Sequence, residues 1–175
     1  GHKRSECYSN RNQQKNKGSA NSSEANQDED VVFMVNTEES RNPDSEIHSI
    51  MWYLDSGATE HMINTDQFFA KNWQLEKEMR ISVAKNGQVI TAQTAGNIKG
   101  KILVDGKLET CTVTNVLYVP ELKHNLISVR RLEMLGLKII FENNKATIAK
   151  GDKIIGEARR KQRLYELEVL VDSVG

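Results

Sequence analysis

From about residue 47 onward, apolar and polar residues alternate in short runs separated by turn sequences. A period of two is typical of β-strands with one buried face, as between 79 and 85. Ile50–Leu54 is a continuous apolar run, which predicts a buried strand. Asn86–Gly87 and Asp105–Gly106 are strong two-residue hairpin sequences. The predicted strands are 49–54, 79–85, 88–94, 97–104, 107–119, 137–142, 146–150, 153–159 and 164–170, with further turns at Asn143–Asn144 and Gly151–Asp152.

One segment has a helical period instead. In Asn125–Leu135, leucine or valine recurs every third residue, with Asn125 as a suitable N-cap and Gly136 as a suitable C-terminal stop. A second, short helix is predicted to begin at 64–66, and Pro120 is expected to end a sheet strand. Many short strands with a single convincing helix predict a mainly all-β domain folded as a small barrel. In the longer helix, the apolar face is predicted to hold Leu126, Val129, Leu132 and Leu135, while Arg130, Arg131 and Glu133 face solvent.

The N-terminal part has a different composition. Residues 9–30 contain no Val, Ile, Leu, Met or aromatic residue and are rich in Asn, Gln, Ser and Lys. Such a segment cannot bury enough apolar surface to offset its ordering entropy, so we predict a disordered linker over 8–46 before a domain at 47–170. The apolar run 31–35 lies inside the linker and could be an edge strand, a docking segment or part of a processing site; its β-branched and aromatic residues favour the strand.

Charge and cysteine content narrow the function classes only slightly. The chain has 24 Lys plus Arg and 24 Asp plus Glu, so its net charge gives no argument for nucleic acid or a membrane. The two cysteines, Cys7 and Cys111, form no disulfide framework and indicate a reducing compartment; Cys111 is expected to serve packing. No apolar run has the length of a membrane span, and the N-terminus has no signal-peptide core. The first residue is Gly, so we expect a piece of a longer chain.

The candidate chemistry lies in Asp55-Ser56-Gly57, directly after the buried strand. A carboxylate at a strand end, followed by Ser and Gly, predicts a tight turn in which Gly57 permits unusual backbone angles and close approach of another chain. A lone carboxylate is a poor catalyst for amide hydrolysis, but two that share one proton can act as base and acid. This chain has one such motif, so the second Asp would come from a second copy. Asp-Ser-Gly by itself is also an ordinary turn sequence.

The first seven residues contain the pattern G-H-x4-C, with His2 and Cys7. This pattern resembles the second half of a CCHC zinc knuckle, a module that binds zinc and single-stranded nucleic acid. A structural zinc site needs four ligands, and the first two cysteines are missing. We therefore predict no stable zinc site in this chain, and His2 and Cys7 as metal ligands only in a full-length parent.

Two longer runs carry a family resemblance. Asp55 to His61 reads D-S-G-A-T-E-H, and N-L-I-S-V at Asn125–Val129 continues through Leu132 to Gly136. Together these runs resemble the protease segment of a copia-type LTR-retrotransposon Gag-Pol polyprotein, over about residues 47–170. The run L-Y-E-L at 164–167 resembles the sequence found just before the integrase region, so residues 171–175 are expected to begin that link.

The resemblance implies a homodimeric retropepsin-like aspartic protease with a small closed β-barrel and one short helix in its C-terminal half. Its partners would be a second copy of itself and the polyprotein peptide that it cuts inside a cytoplasmic virus-like particle. No cofactor, metal or membrane would be involved, and nucleic acid would bind only through the truncated knuckle. The resemblance implies Asp55 as the catalytic residue of each subunit, Ser56, Gly57, Ala58 and Thr59 as the active-site loop, and Lys85, Asn86, Gly87 and Gln88 as the flap.

Two other functions compete with this one. The chain could be an inactive relic, or a host-recruited retropepsin-like barrel that binds without cutting. It could instead bind nucleic acid through its N-terminus, which has a modest basic cluster. The basic cluster consists of Lys3, Arg4, Arg11, Lys15 and Lys17.

For His61 we favour a structural hydrogen bond over a catalytic role.

Overall fold

The computed structural model describes residues 45–82 and 87–173, so the predicted linker to residue 44, with its run 31–35, lies outside the described residues. The described part is mainly β-structure with one short helix, as the sequence predicts. The strands are β1 Ile47–Asp55, β2 Met62–Ile63, β3 Lys71–Ser82, β4 Val89–Val104, β5 Lys107–Tyr118, β6 Asn125–Ser128, β7 Lys138–Glu142, β8 Lys145–Lys150, β9 Lys153–Lys161 and β10 Leu164–Asp172, and the helix is α1 Val129–Met134.

Six strands close on themselves as a barrel. The sheet order is β3-β4-β5-β2-β6-β1-β10-β9-β8-β7, and an additional pairing of β4 with β10 completes a ring of β4, β5, β2, β6, β1 and β10. The closing pairs are Val169 with Ile102 and Leu170 with Lys101. β3 extends from one side of this ring, while β9, β8 and β7 extend from the other. The barrel predicted from the turn-punctuated strands is therefore confirmed.

The central strand β1 has the burial pattern that its sequence predicts. Ile50, Trp52 and Leu54 are buried, whereas Met51 is exposed on the opposite face. β1 pairs with β10 in antiparallel and with β6 in parallel orientation. A strand with neighbours on both sides has few unpaired backbone groups. The strand that ends at Asp55 is therefore held in place by backbone hydrogen bonds to both neighbours.

Two predicted strands, 88–94 and 97–104, are one continuous strand in the structure. β4 runs from Val89 to Val104, and its pairing with β5 shifts register between Gly96 and Ile98. There the side-chain Oδ1 of Asn97 accepts a hydrogen bond from the backbone N–H of Asn115, whose φ is +53°. An irregularity of this kind absorbs an extra residue and lets the strand continue.

Three further differences from expectation concern β3, the segment at 64–66 and the end of β10. β3 begins at Lys71, eight residues before the strand predicted at 79, and is described to Ser82. No helix forms at 64–66; the Phe69 N–H closes a turn on the carbonyl of Asp66 instead. β10 continues to Asp172, past the predicted domain end at 170, because Val171 is 2% exposed and packs in the core.

The predicted helix Asn125–Leu135 is wrong in its first third. Asn125–Ser128 forms β6, and α1 begins at Val129 with Ser128 as its N-cap. The side chain of Asn125 accepts from the backbone N–H of Asn64 and donates to the carbonyl of Met51, so it joins strands instead of capping a helix. The stop is confirmed: Gly136 has φ +76°.

The predicted tight turns are present wherever the structure describes them. Asp105 and Gly106 both have positive φ, at 48° and 76°, between the paired residues Val104 and Lys107. Positive φ at both central positions is the signature of the type I′ hairpin. The turns at Asn143–Asn144 and Gly151–Asp152 likewise join paired strands.

Gly100 permits the crossing of β4 and β10 that closes the barrel. A Cβ at this position would lie 2.5 Å from the carbonyl oxygen of Leu170 and 2.6 Å from Cγ1 of Val169. The backbone oxygen cannot retreat without disturbing the closing pairs. Gly100→Ala is therefore expected to lower the free energy of unfolding by about 1–3 kcal/mol, as measured by urea denaturation.

Gly156→Ala is the matched control for this change. Its Cβ would lie 3.3 Å from the terminal Cδ1 atoms of Ile102 and Ile148, which can adjust, and 3.6 Å from Cβ of Ile148, an ordinary contact. We expect a clearly smaller loss of stability. Equal losses for the two variants would contradict the role assigned to Gly100.

The strands β8 and β9 contribute to the same core as the barrel. Ala146, Ile148, Ile155 and Ala158 are buried together with barrel residues such as Ile102. Cys111 is 2% exposed in this core, so its predicted packing role is confirmed, and burial raises the pKa of its thiol to about 12. The thiol is consequently neutral at any ordinary pH.

Candidate active-site loop

The loop after β1 holds the carboxylate of Asp55 in a defined position. The backbone N–H of Gly57 donates a hydrogen bond to Oδ1 of Asp55 at 2.7 Å. Asp55 is half-buried, while Ser56 and Gly57 are exposed. A hydrogen bond from a backbone N–H restrains the carboxylate without neutralising it. One carboxylate is thus presented at the surface where the strand ends.

Gly57 leaves room for the neighbouring carboxylate of Asp55. Its φ does not lie in the left-handed region, so the prediction of an unusual backbone angle is wrong for this residue. A Cβ on Gly57 would instead lie 3.2 Å from Oδ1 of Asp55, closer than ordinary van der Waals contact. The group that comes close to Gly57 is therefore the carboxylate of Asp55.

Ser128 ties this loop to the start of α1. In the parallel pairing of β1 and β6, Asp55 lies opposite Ser128. The Ser128 hydroxyl donates to the carbonyl of Ala58 at 2.6 Å and accepts from the backbone N–H of Arg131 at 3.2 Å. Ser128 is fully buried, and its bond to Ala58 is buried as well, while the bond from Arg131 is partly buried. One side chain therefore caps the helix and anchors the loop that carries Asp55.

His61 holds the other end of the loop. Its Nδ1 accepts a hydrogen bond at 3.0 Å from the backbone N–H of Ser128, and its side chain is 1% exposed. An Nδ1 that accepts carries no proton, so the neutral imidazole has its proton on Nε2. The structural role favoured for His61 is therefore confirmed.

The surroundings of His61 disfavour its charged form. The ring borders a cavity of about 20 Å³ that is lined mainly by apolar side chains, including Cys111, Ile127 and Leu132. Desolvation by burial, and secondarily the positive charge of Arg131, lower the pKa of His61 to about 4. Arg131 itself lies 3.5 Å from Glu60 in a partly buried ion pair. The loop is thus built for a neutral histidine at physiological pH.

This buried histidine predicts a loss of stability in acid. An unfolded histidine has a pKa near 6.5, so the unfolded chain takes up the proton first as the pH falls. The contribution of His61 is fully present above pH 6.5 and is lost between pH 6.5 and about 4. The expected decrease in the free energy of unfolding is about 3 kcal/mol over that window, measured by urea denaturation at several pH values.

His61→Asn is expected to flatten that pH dependence, since an amide oxygen can accept the Ser128 N–H but does not titrate. His124→Asn is the matched control, because His124 is exposed and packs edge-on against Tyr53. It should keep the native slope. An unchanged slope in His61→Asn would contradict the assignment.

The remaining predicted site residues are distributed as follows. Within the loop, Thr59 is exposed and Ala58 is buried in an apolar cluster with Met62 and Leu117. The predicted flap lies at the junction of β3 and β4, which pair in antiparallel fashion up to Ser82 and Val89. Gly87 has φ +64° there, and Gln88 is exposed. Lys85, Asn86, His2 and Cys7 lie outside the described residues.

Sequence reasoning missed three residues of this site. The helical period predicts Ser128 inside a helix and Arg131 facing solvent, and it predicts no role for Glu60. The signal for Ser128 was available, because Ser is among the preferred N-caps. The ion pair of Glu60 with Arg131 had no local signal, since the two residues are distant in sequence and meet only through the β1–β6 pairing.

The chemistry of this site is that of an oriented carboxylate. In the part of the chain that the structure describes, Oδ2 of Asp55 makes no hydrogen bond, so this oxygen is available to water or substrate. Residues 45–82 and 87–173 contain no group of three or more His, Cys, Asp or Glu side chains placed to hold a metal ion. None of the described helices is long and apolar enough to cross a membrane.

The described residues thus form a closed β-barrel that presents one carboxylate from a braced loop. Residues 52–137 match the family described as Pol polyprotein, beta-barrel domain. The matched stretch begins in β1 and ends just after α1, so it contains the Asp55 loop and the Ser128 anchor. This match supports the interpretation of the chain as a segment of a retroelement Pol polyprotein. No solved structure matches the chain.

Proposed function

We propose that this chain is the aspartic endopeptidase of a copia-type retroelement polyprotein and acts as a homodimer. The observation that carries the proposal is the half-buried Asp55 carboxylate, held by the Gly57 N–H at the end of a central barrel strand. The match to a Pol polyprotein barrel domain over the same loop supports this context. Processing of Gag-Pol would take place in a cytoplasmic particle, without a cofactor.

The dimer follows from the number of carboxylates. Amide hydrolysis by this chemistry needs one ionised and one protonated carboxylic acid close together. Among the residues that the structure describes, one chain offers only Asp55 in such a loop, and the exposed Ser56 and Gly57 leave this loop open to a partner. A second copy would bring the second Asp55, and the pair would titrate as a unit.

The proposed reaction divides the work between the two acids. The ionised Asp55 accepts a proton from water as the water oxygen attacks the scissile carbonyl carbon. The protonated Asp55 of the other subunit donates its proton to the developing oxyanion. When the resulting intermediate breaks down, the amide nitrogen leaves with a proton and the dyad returns to one shared proton. The hairpin of β3 and β4 would cover the bound polyprotein peptide.

Processing of the full polyprotein tests this function. Native and Asp55→Asn chains are co-expressed with their Gag segment and compared by immunoblot for Gag products. Asp66→Asn is the control, because Asp66 is an exposed aspartate outside the loop. We expect cleavage with the native and Asp66→Asn chains and an intact polyprotein with Asp55→Asn.

Other outcomes would refute the protease. If the native, Asp66→Asn and Asp55→Asn polyproteins are all processed equally, a host protease makes the cuts and the barrel acts as a binding module. An uncut polyprotein with the native chain at high expression indicates an inactive relic.

A further inference from the structure

Five cations lie around two neighbouring hairpin turns at the end of the β7–β10 sheet, divided between its two faces because consecutive strand residues point to opposite sides. The turn between β7 and β8 is joined to β9 by a hydrogen bond from the Arg160 N–H to the Asn144 carbonyl at 2.8 Å. A second bond runs from Nη1 of Arg160 to Oδ1 of Asn144 at 3.3 Å. Lys145 lies opposite Arg159 in the β8–β9 register. We call this set the tip cluster: Lys145, Arg159, Arg160, Lys161 and Arg163.

Among the described residues, three members of the tip cluster form no ion pair, although Arg159 lies opposite Glu166 in the β9–β10 register. Lys145 pairs with Glu157 at 3.6 Å, and Lys161 pairs with Glu166 at 3.7 Å. Arg159, Arg160 and Arg163 are exposed, and within residues 45–82 and 87–173 none of them has a carboxylate at ion-pair distance. The chain as a whole is neutral, so this excess of positive charge is local.

The arginine at the centre of the cluster is held in place. Nε of Arg160 donates to the carbonyl of Gln162 at 3.0 Å, in addition to the bond to Asn144. A guanidinium has five N–H donors, so several remain for a ligand after these two bonds. Ordering the side chain in advance lowers the entropy that binding would cost.

An aromatic pair lies beside these cations. The rings of Phe141 and Tyr165 are 4.9 Å apart and meet edge to face at 70°. Tyr165 is directly opposite Arg160 in the β9–β10 register, so both side chains are on the same face of the sheet. Phe141 is 49% exposed, which is unusual for a residue of this size. Its ring is thus accessible on the face that carries Arg160, whereas Arg159 points to the opposite face of β9.

We propose that the tip cluster and the Phe141–Tyr165 pair bind single-stranded nucleic acid. The unpaired arginines fit phosphates, and the exposed ring offers a surface on which an unstacked base can lie. A polyanion is the ligand that the charge favours, and the ring favours a single strand over a polyanion without bases. This surface lies outside the residues matched to the polyprotein barrel family and does not depend on Asp55.

A charge-matched pair of variants tests the proposal in the full chain. The tip variant replaces Arg159, Arg160 and Arg163 by Gln. The control variant replaces Lys138, Lys150 and Lys153 by Gln. These lysines are exposed at the far end of the same hairpins, about 17 Å away along β8. Both variants lose three positive charges, so only their location differs.

Binding is measured by fluorescence anisotropy with a labelled oligouridine of about 20 nucleotides, longer than the usual single-domain site. We expect the tip variant to bind at least about tenfold more weakly and the control variant to bind within about twofold of the native chain. Each phosphate contact with a single strand contributes about 0.7 to the slope of log K against log salt. The tip variant should therefore lower that slope by about 2.

Phe141→Ala tests the aromatic part, with Ile140→Ala as its control. Ile140 is similarly exposed, at 41%, but points to the other face of β7. Loss of base stacking at Phe141 should weaken binding at least about fivefold without changing the salt slope. Ile140→Ala should bind as the native chain does.

Arg160 bonds to residues of both turns, so its substitution could weaken binding by disturbing the fold. A second variant, which keeps Arg160, separates that effect from the loss of charge. Arg159→Gln with Arg163→Gln leaves the Arg160 bonds in place and should still weaken binding several-fold. The proposal is overturned if the native chain fails to bind at low salt, or if tip and control variants weaken binding equally. Native-like binding by a folded tip variant also overturns it and assigns the binding to another part of the chain, such as the basic N-terminal residues.

Discussion

Asp55→Asn is expected to abolish peptide cleavage by the purified chain and to inhibit the native chain when the two are mixed. The amide keeps the shape of the carboxylate and can still accept the Gly57 N–H at the loop. It can neither take a proton from water nor share one with its partner. Loss of general acid–base catalysis costs about 10²–10⁴-fold in rate, so the residual activity should be small.

Mixing distinguishes a dimeric from a monomeric active site. At a fixed total concentration well above the dimer dissociation constant, random pairing leaves about one quarter of the dimers with two native subunits. An equal mixture of native and Asp55→Asn chains should therefore have about one quarter of the native rate. A monomeric enzyme would retain about one half. Mixing with Asp66→Asn chains, the exposed-aspartate control, should leave the rate unchanged.

Ser128→Ala is expected to lower the free energy of unfolding by about 2–4 kcal/mol. The change removes the N-cap of α1, which is worth about 0.5–2 kcal/mol. It also leaves the buried carbonyl of Ala58 without its 2.6 Å partner, a further cost of about 1–3 kcal/mol. Urea denaturation followed by circular dichroism measures the loss.

Ser49→Ala is the matched control for Ser128→Ala. The Ser49 hydroxyl donates to Glu168 on the exposed side of β1 and β10, where water can replace it. Its loss should change stability by no more than about 0.5 kcal/mol. Equal effects of the two substitutions would contradict the anchoring role of Ser128.

Ser128→Ala also links the anchor to the proposed activity. If the Ser128 hydroxyl positions the loop that carries Asp55, kcat/KM should fall by more than the unfolded fraction accounts for at the assay temperature. A decrease that only follows the unfolded fraction would limit Ser128 to stability. This comparison separates a positioning residue from a purely structural one.

Local sequence patterns predicted the elements whose signals are contained in a few adjacent residues. The type I′ turn at Asp105–Gly106 depends on two residues that tolerate positive φ, and it forms where predicted. The buried strand that ends at Asp55 depends on its own apolar run and also forms as expected. These elements need no information from distant parts of the chain.

The helix at 125–135 shows where such reasoning fails. Asn125–Ser128 has a helical period and a good N-cap, but β1 and β2 offer it backbone partners on both sides. Pairing with two strands satisfies the same backbone groups and buries Ile127 as well. The tertiary alternative is more favourable than the local preference, so the helix begins four residues later.

The sequence by itself determined that this chain has an all-β domain and that Asp55 ends a buried strand, because alternation, turn residues and apolar runs act over short distances. The tertiary structure alone decided what surrounds that carboxylate. Ser128 meets Ala58 and His61 of the Asp55 loop only because a parallel strand pairing joins segments about seventy residues apart. Barrel closure likewise depends on Gly100 passing against β10. No local pattern encodes such contacts, because the sequence around each residue is equally compatible with structures in which the distant partner is absent.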